Sequence, residues 1–409
     1  MSGMRKFLAG VILFAAACLP ALADNQPDLC DGHDWFQLRE RVAAGGASLL
    51  CQGAVDASFE KRAEAERELS SVIRKMPNSA SSYRAHEILG AMYFREGRYK
   101  RAAAELDRML EDKPDAEDAK AMHSLFAVLA RYPEMTVASS KPSTLRSEMV
   151  ERSLFVPVKA NGVAGSYIVD SGANLSIMSE SEARRLGLKL EETSTKVADI
   201  SGTGSAVRVA NMPDLWIGKT HLKHVAFIVS PDTSMPFVDL PKGHRGVLGI
   251  PVLLALGSFR LGKENCFDIQ PGSAPASAKV VPLAFDSALP VTQMSLNGKT
   301  LNYVFDTGAD PTYLGPVFAA AYLDLMLAGV KKDRTLKGIG GNTNQEAVVL
   351  HSVRFTLGKT VELAPATVLL KTNFPGSDWA AGNLGFDLIS QTIPLTIDFR
   401  AMQLSVEDR

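Results

Sequence analysis

Two hydrophobic rhythms divide the chain. Over residues 56–133 apolar positions return at helical spacing, as at Leu69, Val72 and Ile73, with few Gly or Pro until Pro77-Asn78-Ser79 breaks the run. A short helical stretch over 35–43 comes first, with Gly45-Gly46 able to turn the chain back. From about residue 147 the period shortens to β runs: Leu154-Phe155-Val156, Tyr167-Ile168-Val169, 225–229, Val348-Val349-Leu350 and Leu395-Thr396-Ile397. Helices are few there. Ser179 with Glu182 three residues on predicts a capping box for a short helix that Gly187 closes, and 316–327 predicts its counterpart. Ser139-Ser140-Lys141-Pro142-Ser143 and Pro271-Gly272-Ser273-Ala274-Pro275 predict linkers.

The β region is written twice. Asp170-Ser171-Gly172-Ala173 returns 136 residues later as Asp306-Thr307-Gly308-Ala309, each copy behind an apolar run. The same offset carries Asn161-Gly162 onto Asn297-Gly298, Gly202 onto Gly338, Gly204 onto Gly340, and Leu248-Gly249 onto Leu384-Gly385. Landmarks kept in register between segments of varying length are expected of one repeated fold with variable loops.

At 409 residues the chain has room for two or three domains, and a net charge of −1 argues against a nucleic-acid partner. Arg5-Lys6, the apolar run over 7–19 and Ala21-Leu22-Ala23 predict a secretory leader, too short to span a membrane. Export permits disulfides. With the leader gone, Cys30 and Cys51 are the natural pair, flanking the first helical stretch, and Cys266 is left as a thiol in a strand-like run. His221 and His224 lack matching Cys or carboxylate spacing and read as a surface turn, so no metal or cofactor is expected.

Each repeated motif puts a carboxylate on a tight turn after a buried strand, with Gly172 or Gly308 expected to permit the turn. Two such carboxylates brought together across a pseudo-twofold cannot both ionise; they share a proton and hold an acid and a base side by side.

These segments resemble the active-site segments of aspartic peptidases, and Ala173, Ala309 and Asp310 are closer to the retropepsin type than to pepsin. The resemblance extends to Val247-Leu248-Gly249 and to Leu384-Gly385, where Asn383 stands at the first, normally apolar, position. It implies catalytic Asp170 and Asp306, and Ser171 and Thr307 hydroxyls that bond across the lobe interface to orient them. It also implies flaps tipped by Gly202, Gly204, Gly338 and Gly340, and Asp310 among the substrate-binding residues. Separately, residues 83–114 resemble one tetratricopeptide repeat, through Leu89-Gly90, Tyr93, Gly97, Tyr99, Ala102, Leu106 and Pro114; a plain helical hairpin is the other reading.

The expected fold is mainly β, two retropepsin-like β-barrel lobes related by pseudo-twofold duplication behind a small tetratricopeptide-like helical domain. The expected boundaries are a signal peptide over 1–23, the helical domain over 24–138, a linker over 139–148, lobe 1 over 149–271, an inter-lobe linker over 272–279 and lobe 2 over 280–409. The expected function is an exported, periplasmic or secreted aspartic endopeptidase acting on peptide or protein. No membrane span remains after leader removal, and the helical domain is available to a protein partner. The alternative is a catalytically silent peptide-binding module on the same fold. Retention of both carboxylates and both hydroxyls favours the enzyme, since binding alone does not require a costly carboxylate pair.

Overall fold

The computed structural model describes residues 30, 32–150, 152–197, 205–273, 275–338, 341–371 and 378–408. The expected signal peptide lies outside them. Among them no helix is long and apolar enough to cross a membrane.

Six helices come first: α1 (Trp35–Ala43), α2 (Leu49–Ser58), α3 (Arg62–Lys75), α4 (Ala80–Arg95), α5 (Tyr99–Asp112) and α6 (Glu117–Leu129). Side-chain caps start several of them. Ser48 Oγ accepts from Cys51 N, and Ser79 and Ser82 cap one another reciprocally at the head of α4. Gly97, at φ +75°, turns α4 back into α5, which keeps apolar Tyr99, Ala102, Ala103, Leu106 and Met109 on its buried face. A Cys30–Cys51 disulfide ties the chain before α1 to α2, and Cys266 is free.

The rest is mainly β, in two lobes of like topology. In lobe 1 the hairpin Ser153–Ala160/Val163–Val169 leads to Asp170, and the short strand Gly246–Leu248 lies between Val163–Val169, which it pairs in parallel, and Ser176–Ser179, which it pairs antiparallel. Lobe 2 repeats this with Leu289–Leu296/Lys299–Phe305, Gly382–Leu384 and Tyr313–Leu314. The register is the same: Val247 faces Ile168 as Asn383 faces Val304. A further sheet is shared, with strands Ser143–Arg146, Cys266–Ile269, Ser258–Leu261, Leu395–Asp398, Gln403–Val406 and Lys279–Asp286 side by side. Segments before, between and after the lobe strands therefore pair in one layer.

The stretch 139–148 is built into these sheets. Thr136–Ser139 pairs with Thr220–Ser230, and Ser143–Arg146 pairs with Cys266–Ile269. One hydrophobic core runs from α1 through both lobes, including Phe94, Phe126, Phe227 and Phe285. The helices also bond to each lobe. Leu125 N donates to Thr195 Oγ1 and Arg131 pairs with Glu191 in lobe 1. Trp35 Nε1 donates to buried Asp286 at 2.8 Å, His33 bonds the same carboxylate, and Arg95 donates to Ser287 O in lobe 2.

The short helix Glu180–Arg185 forms behind Ser179, whose Oγ accepts from Glu182 N, and closes at Gly187 with φ +66°. Its lobe 2 counterpart differs from the single helix expected over 316–327. It is two pieces, Pro316–Ala321 and Leu323–Leu327, because Tyr322 leaves helical geometry and directs its hydroxyl to Leu296 O.

Candidate active site

Asp170 and Asp306 each stand where a buried strand ends. Asp170 N donates to Leu248 O and Asp306 N to Leu384 O, so each chain is held by its parallel neighbour as it leaves the sheet. The turn that follows aims two N–H groups at the aspartate's own Oδ1. Gly172 N and Ala173 N reach Asp170 Oδ1 at 2.8 and 3.1 Å; Gly308 N and Ala309 N reach Asp306 Oδ1 at 2.9 and 3.0 Å.

Across the lobe interface the next residues lock the two turns. Ser171 Oγ donates to Phe305 O at 2.8 Å and accepts from Thr307 N at 3.0 Å. Thr307 Oγ1 donates to Val169 O at 2.8 Å and accepts from Ser171 N at 3.0 Å. Both side chains are buried. Four reciprocal bonds at about 0.5–1.5 kcal/mol each, on groups otherwise left unpaired, fix one carboxyl relative to the other.

The glycines serve a purpose other than the one expected. Neither Gly172 nor Gly308 has a positive φ, so the turn itself does not require them. A Cβ on Gly172 would lie 2.5 Å from Asp306 Cγ, and one on Gly308 would lie 2.2 Å from Asp170 Cγ. Each glycine leaves room for the carboxyl of the other lobe. Gly249 and Gly385 admit the turn's backbone in the same way, their missing Cβ atoms falling 2.6 Å from Ala173 O and 2.7 Å from Ala309 O.

Each carboxyl sits against the turn that carries the other, and burial, then the charge on Asp306, hold Asp170 well above the usual carboxylate range. A pair so placed shares one proton once the first has left, because the second ionisation must set like charges side by side.

Two further residues, Arg152 and Asn383, join the site. Arg152, on the Val150–Ser153 turn of lobe 1, reaches Asp310 of lobe 2 at 3.2 Å. Burial and the charge of Asp387 raise Asp310, and Arg152 opposes them. Asn383 Nδ2 donates to Asp306 Oδ2 at 2.9 Å. Its signal was in the sequence, as the polar residue interrupting Val-Leu-Gly in the second copy. Of the expected flap residues, Gly338 ends the strand Val330–Gly338 and pairs with Gly341, while Gly202, Gly204 and Gly340 lie outside the described residues. His221 bonds Asp214 at 2.7 Å and stacks on Trp216.

A family model described as aspartyl protease matches the chain twice, over residues 156–252 and 292–388. Each match holds one motif, and the six helices lie outside both. No curated protein matches. Among solved structures the chain is similar to a retropepsin-like aspartic protease from Rickettsia conorii, at 19% identity over 33% of this chain and 91% of that one, with a TM-score of 0.23. It is also similar to edgp, at 12% identity over 65% of this chain and 95% of that one, with a TM-score of 0.37. Scores this low carry no weight beside the duplicated lobes.

Proposed function

We propose that the protein is an exported aspartic endopeptidase in which Asp170 and Asp306 hydrolyse a peptide bond by activating water. The observation that carries this reading is the reciprocal Ser171–Thr307 lock around two carboxyls that cannot both ionise. The ionised member takes a proton from water as its oxygen attacks the scissile carbonyl. The protonated member donates a hydrogen bond to the carbonyl oxygen, where negative charge develops. Proton return to the departing nitrogen breaks the C–N bond and restores the pair. The match to the aspartyl protease model over both lobes supports the reaction class, and a peptide substrate follows from it. Export is supported by the leader-like sequence and by the Cys30–Cys51 disulfide. The segments that contain Gly202, Gly204, Gly338 and Gly340 are proposed as flaps over the peptide, with Asp310 at the rim of its groove.

The test is incubation of the chain lacking residues 1–23 with a peptide library in ¹⁸O-labelled water, from strongly acidic to neutral pH. Direct attack by water puts one ¹⁸O into each new carboxyl terminus. No cleavage at any pH in folded protein would overturn the reading and favour the peptide-binding module.

A further inference from the structure

The two carboxyls are matched at Oδ1 and unmatched at Oδ2. At Oδ1 each accepts two backbone N–H groups. At Oδ2, Asp306 accepts from Asn383 Nδ2 at 2.9 Å. The pseudo-twofold image of Asn383 is Val247, which has nothing to donate. Among the described residues Asp170 has only its two backbone donors and the partner carboxyl.

We propose that Asn383 sorts the proton of the pair: its amide N–H holds the negative charge on Asp306 and leaves the shared proton on Asp170. Asp306 is then the base toward water and Asp170 the acid toward the carbonyl. Those two roles rest on the peptidase reading, whereas the charge assignment stands without it.

Three features support the assignment. A donor on a carboxylate favours the ionised form, and a charge-assisted bond is about twice as strong as a neutral one. Asn383 Oδ1 is buried with no partner among the described residues, so the amide spends its donor on Asp306 while its acceptor goes unused. Turning the amide over would set that oxygen against Asp306 Oδ2, which only a protonated Asp306 tolerates; amide orientation and charge are thus linked.

Of the charges around the strand that holds Asn383, Asp310 is paired with Arg152, Asp387 is bound to Thr312, and Arg334 bears on Tyr313 with its Nε unpartnered among the described residues. Tyr313 stands opposite Asn383 on the antiparallel neighbour, and the strands Gly246–Leu248 and Gly382–Leu384 contain no ionisable residue.

Asn383→Val, the residue of lobe 1, and Asn383→Leu, closer in volume to Asn, test the proposal by carboxyl ¹³C NMR titration of the pair. Without the donor, the first ionisation rises by about one pH unit. The second ionisation, that of Asp170 beside an already charged Asp306, stays in place. In hydrolysis the acid limb of the pH–rate profile moves up equally and the alkaline limb holds, so the bell narrows from one side. An unmoved first ionisation, or a shift confined to the second, overturns the proposal. If a variant fails to fold, the wild-type background decides: Asp306 in Asp170→Asn must titrate below Asp170 in Asp306→Asn, and the reverse order overturns it. Should wild type cleave nothing, the peptidase reading fails while the titration still decides the charge assignment.

Discussion

Lobe 1 and lobe 2 are alike in the turns that lock them together and unlike at a few places around those turns. The Asp-[Ser/Thr]-Gly-Ala turns, the hydroxyl lock, the inserted parallel strand and the close-approach glycines are the same in both. At three pseudo-equivalent places the lobes differ in what they bond. Val247 becomes Asn383, Asn174 becomes Asp310, and the turn that sends Arg152 to the other lobe becomes the Asp286–Leu289 turn gripped by His33, Trp35 and Arg95. A lock between two copies works only if each half is complementary to the other, so duplication preserves it. Proton sorting and helix docking each need one partner of a pair to differ, and there the copies have diverged.

If the lock is symmetric, breaking either half should cost the same. Gly172→Ala and Gly308→Ala force a methyl against the opposing carboxyl, and each should lose about 3 kcal/mol, the upper end for overpacking. Chemical denaturation checks this, and a loss in only one variant would show that one lobe yields. Ser171→Ala and Thr307→Ala each remove two bonds and orphan a buried N–H. Each should cost about 1–3 kcal/mol, with the two values close together.

Asymmetry is tested at the docking turn. Asp286→Ala strands His33 and the buried Trp35 N–H and should cost about 1–3 kcal/mol by thermal melting, whereas substitution of Val150, its image, removes no such bond.

Asp170 sharpens the comparison through pH. Its carboxyl is raised in the folded protein, so the stability tied to its proton is fully present below the unfolded value of about 3.9 and is lost as pH rises through the raised value. Asp170→Asn should therefore be more stable than wild type at neutral pH, with the gain vanishing in strong acid; melting temperatures across pH check the sign. The smallest effect belongs to Arg152→Ala. Arg152 is 74% exposed, so removing its pair with Asp310 should cost ~0–1 kcal/mol, less at high salt.

Much of this was legible in the sequence because duplication made it redundant. The offset identified the paired aspartates, hydroxyls and Leu-Gly segments, helical periodicity gave the N-terminal region, and the cysteine count with a leader-like start gave the Cys30–Cys51 pairing. What was not legible depends on contacts between distant segments. Gly172 and Gly308 were read for local turn geometry, yet what they accommodate lies in the other lobe. His33, Trp35 and Arg95 carry no motif, and their importance comes from Asp286, Ser287 and Phe285 folding beneath them. Residues 139–148 have a linker's composition, but neighbouring strands offer unpaired edges that their backbone satisfies whatever the side chains. Asn383 was visible as an exception and had no meaning until its amide was seen against Asp306.

The most direct measurement of the central claim is peptide hydrolysis by wild type, Asp170→Asn, Asp306→Asn and the double variant under one set of conditions. A pair acting as one unit predicts a fall of about 10²–10⁴-fold in kcat for each single variant and little further loss in the double. Either single variant retaining near-wild-type turnover, or losses that multiply in the double, would contradict it.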